Sequence, residues 1–139
     1  MSLRYLLDSN VISEPLKLSP NAGVLRRLRE HEGAMAIAAV VWHELLFGWE
    51  RLPSSRKKSV IESYLLQVVR GTLPILPYDE AAAGWHAAQR ARLAAEGRTP
   101  PFADGQIAAV ARVNGLTLVT ANRTHFEPFE DLQIEDWTD

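Results

Sequence analysis

The chain has 139 residues, no cysteine and a formal net charge of −2 at pH 7, enough length for one domain with a proper core. At 47% apolar and 23% charged residues it has the balance of a globular protein. No apolar run reaches the roughly 18 to 20 residues of a membrane span, and no basic-then-apolar leader pattern opens the chain, so one cytoplasmic domain over 1–139 is expected. The lack of cysteine excludes disulfides, thiolate zinc sites and thiol nucleophiles. The near-neutral total excludes polyanion binding driven by overall charge alone.

The first predicted element is a strand over Arg4–Leu7, which runs straight into Asp8, Ser9 and Asn10. A short helix near Val11–Lys17 follows, then a helix over about Asn21–Glu32 that stops at Gly33, a suitable left-handed cap. Met35–Ala38 is a small apolar strand leading into "VVWHELLFGWERL" (Val40–Leu52), which reads as helix. In that segment Val41, Glu44, Leu45 and Gly48 share one side, and Trp42, Leu46 and Trp49 form another stripe. A second long helix over Ser55–Arg70 is expected to end at Gly71, with a third strand at Leu73–Leu76. Asp79–Glu96 is an alanine-rich helix closed by Gly97, and "RTPPF" then breaks the chain. A helix over Ala103–Asn114 stops at Gly115, and a fourth strand, Leu116–Val119, opens into "TANRTHF". Gln133–Glu135 is a candidate edge strand.

This alternation predicts an α/β domain, a three-layer α/β/α arrangement around a mainly parallel sheet of four to five strands. Right-handed crossovers place helices on both faces of such a sheet, and ligands gather beyond the carboxyl ends of its strands. Asp8 and Asn122 both fall at such ends. Two segments are locally basic, "RLPSSRKK" (Arg51–Lys58) and "QRARLAAEGR" (Gln89–Arg98). They read equally well as solvated helix faces or as rails for phosphate, which give affinity without sequence information.

Asp8, Glu44 and Asp104 each sit in an otherwise apolar stretch with no lysine or arginine in the immediate neighbourhood. Burying an unpartnered carboxylate is costly, so some cation is expected. Hard Mg²⁺ or Mn²⁺ would answer all three, since both prefer carboxylate oxygen. Such a site would support metal-assisted hydrolysis of a phosphodiester by water. Singly, each residue has a plainer reading: Asp8 and Asp104 as helix caps, Glu44 as a glutamate on the exposed face of an amphipathic helix.

Taken in order, "YLLDSNVISE", "VVWHELLFG" and "FADGQIAAVARVNGLTLVTANRTHF" resemble the PIN-domain ribonucleases, and in particular the VapC and FitB toxins of type II toxin–antitoxin pairs. Each motif is weak alone, but the ordered set covers nearly the whole chain. The resemblance implies a PIN fold, with Asp8, Glu44 and Asp104 as metal-binding acids and the family's fourth position on the neutral Asn122. It implies an Mg²⁺- or Mn²⁺-dependent endoribonuclease that leaves a 5′-phosphate and a 3′-hydroxyl. It also implies homodimerisation and a cognate VapB- or FitA-like antitoxin.

Ser9 and Thr120 match hydroxyl-bearing positions beside the acids and are accessory candidates, with capping or turn bonding as the alternative. Asn10 reads as a turn or capping residue. His125 stands where the family often has an acid and reads better as a surface histidine. His43 neighbours Glu44 but points about 100° away on a helix, so it is assigned to structure or surface. His31 and His86 belong to no motif. Trp42, Trp49 and Trp85 could stack bases, though packing is their commoner use.

Two rivals are weighed. One is a PIN-fold partner of a DNA-binding antitoxin, acting in operator regulation with little nuclease activity. The other is a receiver-like domain or aspartyl-phosphate phosphatase, which also places Asp after the first strand. That class needs a lysine after a later strand, where "LVTANRTHF" offers arginine and histidine instead.

Overall fold

The computed structural model describes residues 2–139. Five strands, β1 (Tyr5–Leu7), β2 (Met35–Ala38), β3 (Ile75–Leu76), β4 (Thr117–Val119) and β5 (Ile134–Glu135), form one sheet in the order β3-β2-β1-β4-β5. Every neighbouring pair is parallel. The sheet is therefore wholly parallel and includes the expected edge strand. In a receiver-like fold β1 lies between β2 and β3; here it lies between β2 and β4, so the receiver reading fails on topology.

Parallel strands with both faces covered read as continuous apolar runs, and β1 is buried at all three of its positions. The pairing Leu7↔Val119 aligns the ends of β1 and β4. Just past that register the Asp8 N–H donates to the Val119 carbonyl at 2.9 Å, and the Thr120 N–H donates to Glu135 at 3.0 Å. Asp8 and Thr120 thus leave the sheet side by side.

The helices follow the sequence with local differences. α1 (Ser9–Ser13) begins two residues earlier than expected, because Asp8 caps it, and it tightens into a 3₁₀ turn over Glu14–Leu16 that includes Pro15. α2 (Ala22–Glu30) starts under an Asn21 cap, and α3 (Ala39–Glu50) follows β2 without a loop. The helix expected over Ser55–Arg70 divides: α4 (Arg56–Ser63) widens into π-helical turns over Tyr64–Val69 and ends as α5 (Arg70–Thr72). Gly71 therefore lies inside the helix rather than ending it. The wider turns keep Leu65 and Val69 in the core while the Tyr64 hydroxyl donates to the Ile12 carbonyl at 2.6 Å. The third strand is correspondingly shorter than Leu73–Leu76.

α6 (Glu80–Ala95) and α7 (Phe102–Val113) pack against each other, and α7 also lies on β2 and β4. α8 (Arg123–Phe126) is a single turn after β4. Gly33, Gly97 and Gly115 all have positive φ, 84°, 74° and 66°, the left-handed conformation their helix-ending roles require.

Two histidines without a motif prove to be structural. His31 stacks on Trp137 with ring centroids 5.4 Å apart, and both rings meet Tyr5 of the central strand. His86 is buried, takes a hydrogen bond with the Tyr78 hydroxyl at 2.8 Å through Nδ1, and has its pKa lowered by burial and then by Arg90. Its ring lies against Gly105 so closely that a Cβ there would collide with it. Trp42, Trp49 and Trp85 are partly buried against the core, and the Trp49 indole donates to the Lys58 carbonyl at 3.1 Å. Part of each ring therefore serves packing.

Candidate functional site

Beyond the carboxyl ends of β1 and β4 the side chains converge on Asp8, which is only 6% exposed. Its Oδ1 accepts the Ser9 N–H at 2.8 Å and caps α1. Its Oδ2 accepts the Thr120 hydroxyl at 2.8 Å and the Asn10 side-chain amide at 3.3 Å. Capping and presentation of a carboxylate are thus combined in Asp8 itself, and Ser9 contributes through its backbone. Thr120 is wholly buried, and its Oγ1 in turn accepts the Asn122 N–H at 3.0 Å.

Asn10 is the residue that sequence reasoning undervalued. Its amide reaches both Asp8 and, at 3.4 Å, Thr120, while its carbonyl oxygen accepts the Ala121 N–H at 3.2 Å. It therefore ties the start of α1 to the turn after β4, 111 positions away. The available signal was a second amide-bearing residue two positions after the acid in "DSN".

Glu44 stands in the middle of α3 and Asp104 in the first turn of α7. Asp104 is not a cap: Pro101 precedes the helix, and Asp104 is its third residue. Although Glu44 keeps contact with solvent, its carboxyl is held above its usual range by partial desolvation, then by the charges of Asp8 and Asp104, with His43 opposing. Asp104 is likewise raised, first by burial, with His125 opposing and Asp8 adding. The three acids therefore lie within one another's field.

Among the described residues no lysine or arginine forms an ion pair with any of them. The basic neighbours are histidines: His43 acts on Glu44, and His125 Nδ1 lies 3.8 Å from Asp104 Oδ2. Mutual repulsion without a fixed counter-charge fits a mobile divalent cation. No group of three or more acidic or histidine side chains among the described residues stands in metal-holding geometry. An all-oxygen, open set suits Mg²⁺ or Mn²⁺ better than a caged ion, since Mg²⁺ keeps several waters and takes only one or two carboxylates directly.

The accessory candidates divide. Asn122 joins the network through its backbone N–H, while its side chain is exposed and does not cap α8. His43 is exposed and stacks on Phe47, ring centroids 6.3 Å apart. The basic segments are less free than their composition suggests. Lys58 Nζ donates to the carbonyls of Glu50 and Leu52 at 3.3 and 2.9 Å. Arg92 is committed to Gln89, Pro128, Glu96 and Glu130. Arg51, Arg56 and Lys57 remain exposed.

Two clefts flank the acids. One, of about 280 Å³, lies on the Glu44 side with Ser9, Ser13 and Trp49 in its wall. The other, also about 280 Å³, opens beside Asp104 and His125.

Comparison with known proteins places the fold in a family. The PIN-domain family model matches residues 5–130. The chain is 36% identical over 138 residues to the "tRNA(fMet)-specific endonuclease VapC" of Shigella flexneri, covering 98% of this chain and 99% of that protein. It is 34% identical over 137 residues to "Toxin FitB" of Neisseria gonorrhoeae, covering 96% and 99%. Among solved structures, that of FitAcB from Neisseria gonorrhoeae superposes with a TM-score of 0.84 at 33% identity over 94% of this chain and 95% of that one. DNA-bound VapBC from Salmonella typhimurium gives 0.83 at 28% identity, covering 97% and 98%. The chain belongs to the PIN-domain family, among its VapC- and FitB-like nuclease toxins of toxin–antitoxin pairs.

Proposed function

We propose that the chain is a divalent-metal-dependent endoribonuclease, a single PIN domain over 1–139 acting as the toxin of a type II toxin–antitoxin pair. The observation that carries this is the shared field of Asp8, at the carboxyl end of β1, with Glu44 of α3 and Asp104 of α7, none of them paired to a lysine or arginine among the described residues. Those three acids would hold Mg²⁺ or Mn²⁺, with Asn122 assisting. When bound, such an ion offsets charge developing on a phosphoryl group and makes water a competent nucleophile near neutral pH.

The chain's own residues supply the rest. Thr120, Asn10 and the Ser9 N–H fix both oxygens of Asp8, so its orientation is set before substrate arrives. Ser9 and Thr120 act here as positioning residues. Exposed Arg51, Arg56 and Lys57 give the RNA backbone cationic contacts. The solved FitAcB and VapBC assemblies support a cognate VapB- or FitA-like antitoxin, and homodimerisation and a cytoplasmic location accompany that reading. None of the described helices is long and apolar enough to cross a membrane.

Purified protein should cleave RNA with Mg²⁺ or Mn²⁺, leave 5′-phosphate and 3′-hydroxyl ends, and stop on chelation. Asp8→Asn and Asp104→Asn variants that remain folded should be inactive; cleavage that survives both would sink the assignment. A second reading, a regulatory PIN-fold partner of a DNA-binding antitoxin with weak nuclease activity, is favoured by the neutral, exposed Asn122. Absence of Mg²⁺ or Mn²⁺ binding at millimolar concentration would select it.

A further inference from the structure

We infer that the cleft beside Asp104 is a nucleotide subsite, taking the base and ribose of the single-stranded RNA residue next to the scissile phosphate. This rests on the nuclease reading above and adds the path of the substrate chain. The cleft encloses about 280 Å³ between apolar walls supplied by Leu93, Pro100, Pro101 and Pro128. Its polar groups are Thr99, Arg98, His125 and Asp104 itself. An apolar-walled cleft beside a few hydrogen-bonding groups can take one unstacked base and read its edge, the way single-stranded RNA is recognised.

The cleft is built rather than incidental. On one side α6 ends at Gly97, and the Arg98 N–H returns to the Leu93 carbonyl at 2.8 Å, fixing the turn into the proline wall. On the other, Arg92 donates to the Pro128 carbonyl at 2.8 Å and Gln89 accepts the Glu130 N–H at 3.0 Å. The same helix thus anchors both walls, and little ordering is left to occur on binding. Arg98 pairs with Glu96 at 2.6 Å, but its side chain is 53% exposed and that of Glu96 is 45% exposed. Such exposed pairs are weakly held, so the guanidinium can turn to a phosphate. RNA is favoured over a peptide because the Asp104 end of the cleft joins the acid cluster. An occupant that brings a phosphodiester to a cation-loaded carboxylate site fits there.

The test uses the full chain and a short single-stranded RNA carrying 5-iodouridine, with Ca²⁺ in place of Mg²⁺ to hold back cleavage. Fluorescence anisotropy gives Kd, and photocrosslinking with mass spectrometry gives the contact. Thr99→Trp, which fills the cleft and excludes the base, should weaken binding severalfold. Arg98→Ala should weaken it roughly 3- to 5-fold and reduce its salt dependence. Crosslinks should fall within Thr99–Asp104 or His125–Pro128. Folded variants that bind RNA as the wild type does, crosslinks confined to the Glu44 side, or no RNA binding at all would each overturn the subsite, the first also being the outcome for a peptide pocket. Binding that weakens as stated in a protein that cleaves no RNA would leave the subsite standing and remove the nuclease reading.

Discussion

The buried hydroxyl of Thr120 donates to Asp8 Oδ2 at 2.8 Å across a sequence separation of 112. The two residues are neighbours only because β1 and β4 are adjacent in the sheet and end at the same level. The bond lies between a metal-ligand candidate and a side chain that water does not reach.

Thr120→Val keeps the shape and removes the donor. A buried carboxylate that loses a hydrogen bond should cost about 1–3 kcal/mol of stability and, through misorientation of Asp8, about 10-fold in kcat. Thr120→Ser should restore most of both. Chemical denaturation and cleavage rates on one set of variants check this; equal losses in Ser and Val would mean that packing matters and the hydroxyl does not.

Asn10→Ala removes the tie between α1 and the turn after β4. Mn²⁺ affinity by calorimetry should fall by roughly 10-fold, the usual scale for a residue that orients a ligand. Asn10→Asp, which places another negative charge against Asp8 and abolishes the donated bond, should lower stability at neutral pH further. Unchanged metal affinity in Asn10→Ala would relegate the amide to the turn.

The raised carboxyls of Glu44 and Asp104 fix the sign of a pH effect. Each holds its proton to higher pH in the folded chain than in the unfolded one, so its favourable contribution is complete below the ordinary carboxylate pKa and is lost as pH rises through the raised value. At neutral pH, with no metal, ionised Glu44 therefore opposes folding. Glu44→Gln should raise Tm by about 1–3 °C at pH 7.5, a modest effect because the residue is exposed, and leave Tm unchanged near pH 4. Mn²⁺ should stabilise the wild type at pH 7.5 more than the variant. Differential scanning fluorimetry at both pH values measures it, and a lower Tm in Glu44→Gln at pH 7.5 would contradict the sign. Glu14 is the counter-case: its carboxyl is lowered by hydrogen bonds from Lys17 and Asn21, so its contribution is present above the ordinary value and fades as pH falls.

Gly105 has no room for a side chain beneath the His86 ring. Gly105→Ala should cost about 1–3 kcal/mol by overpacking, read as a lower denaturation midpoint. His86→Ala in the same chain should recover part of that loss; a fully additive double variant would show that the two residues do not meet.

The element order, the strands at Tyr5, Met35 and Thr117, and the three candidate acids that share one field stand out in the sequence because each depends on a local pattern: a short apolar run, helical periodicity, or a charge in apolar surroundings. The left-handed glycines announced helix ends for the same reason. The π-helical stretch over Tyr64–Val69 could not be read, since it answers to Ile12 and the core rather than to its own residues. Asn10 looked like a turn residue because its partners lie beyond position 119. The two readings of the basic runs could not be separated in sequence, because only the fold shows that Arg92 and Lys58 spend their donors on carbonyls and carboxylates while Arg51, Arg56 and Lys57 stay exposed.

The placement of β4 beside β1 also sets a timetable. Asp8 and Glu44 are synthesised early, yet Asp8 lacks its hydroxyl partner, and the central strand lacks its second neighbour, until residues 117–120 have been made. A growing chain therefore carries Asp8 and Glu44 through much of its synthesis without an organised centre. For a nuclease born among RNA on the ribosome, that order of assembly is a built-in delay: the ends of the first and fourth strands must meet before the centre can be organised.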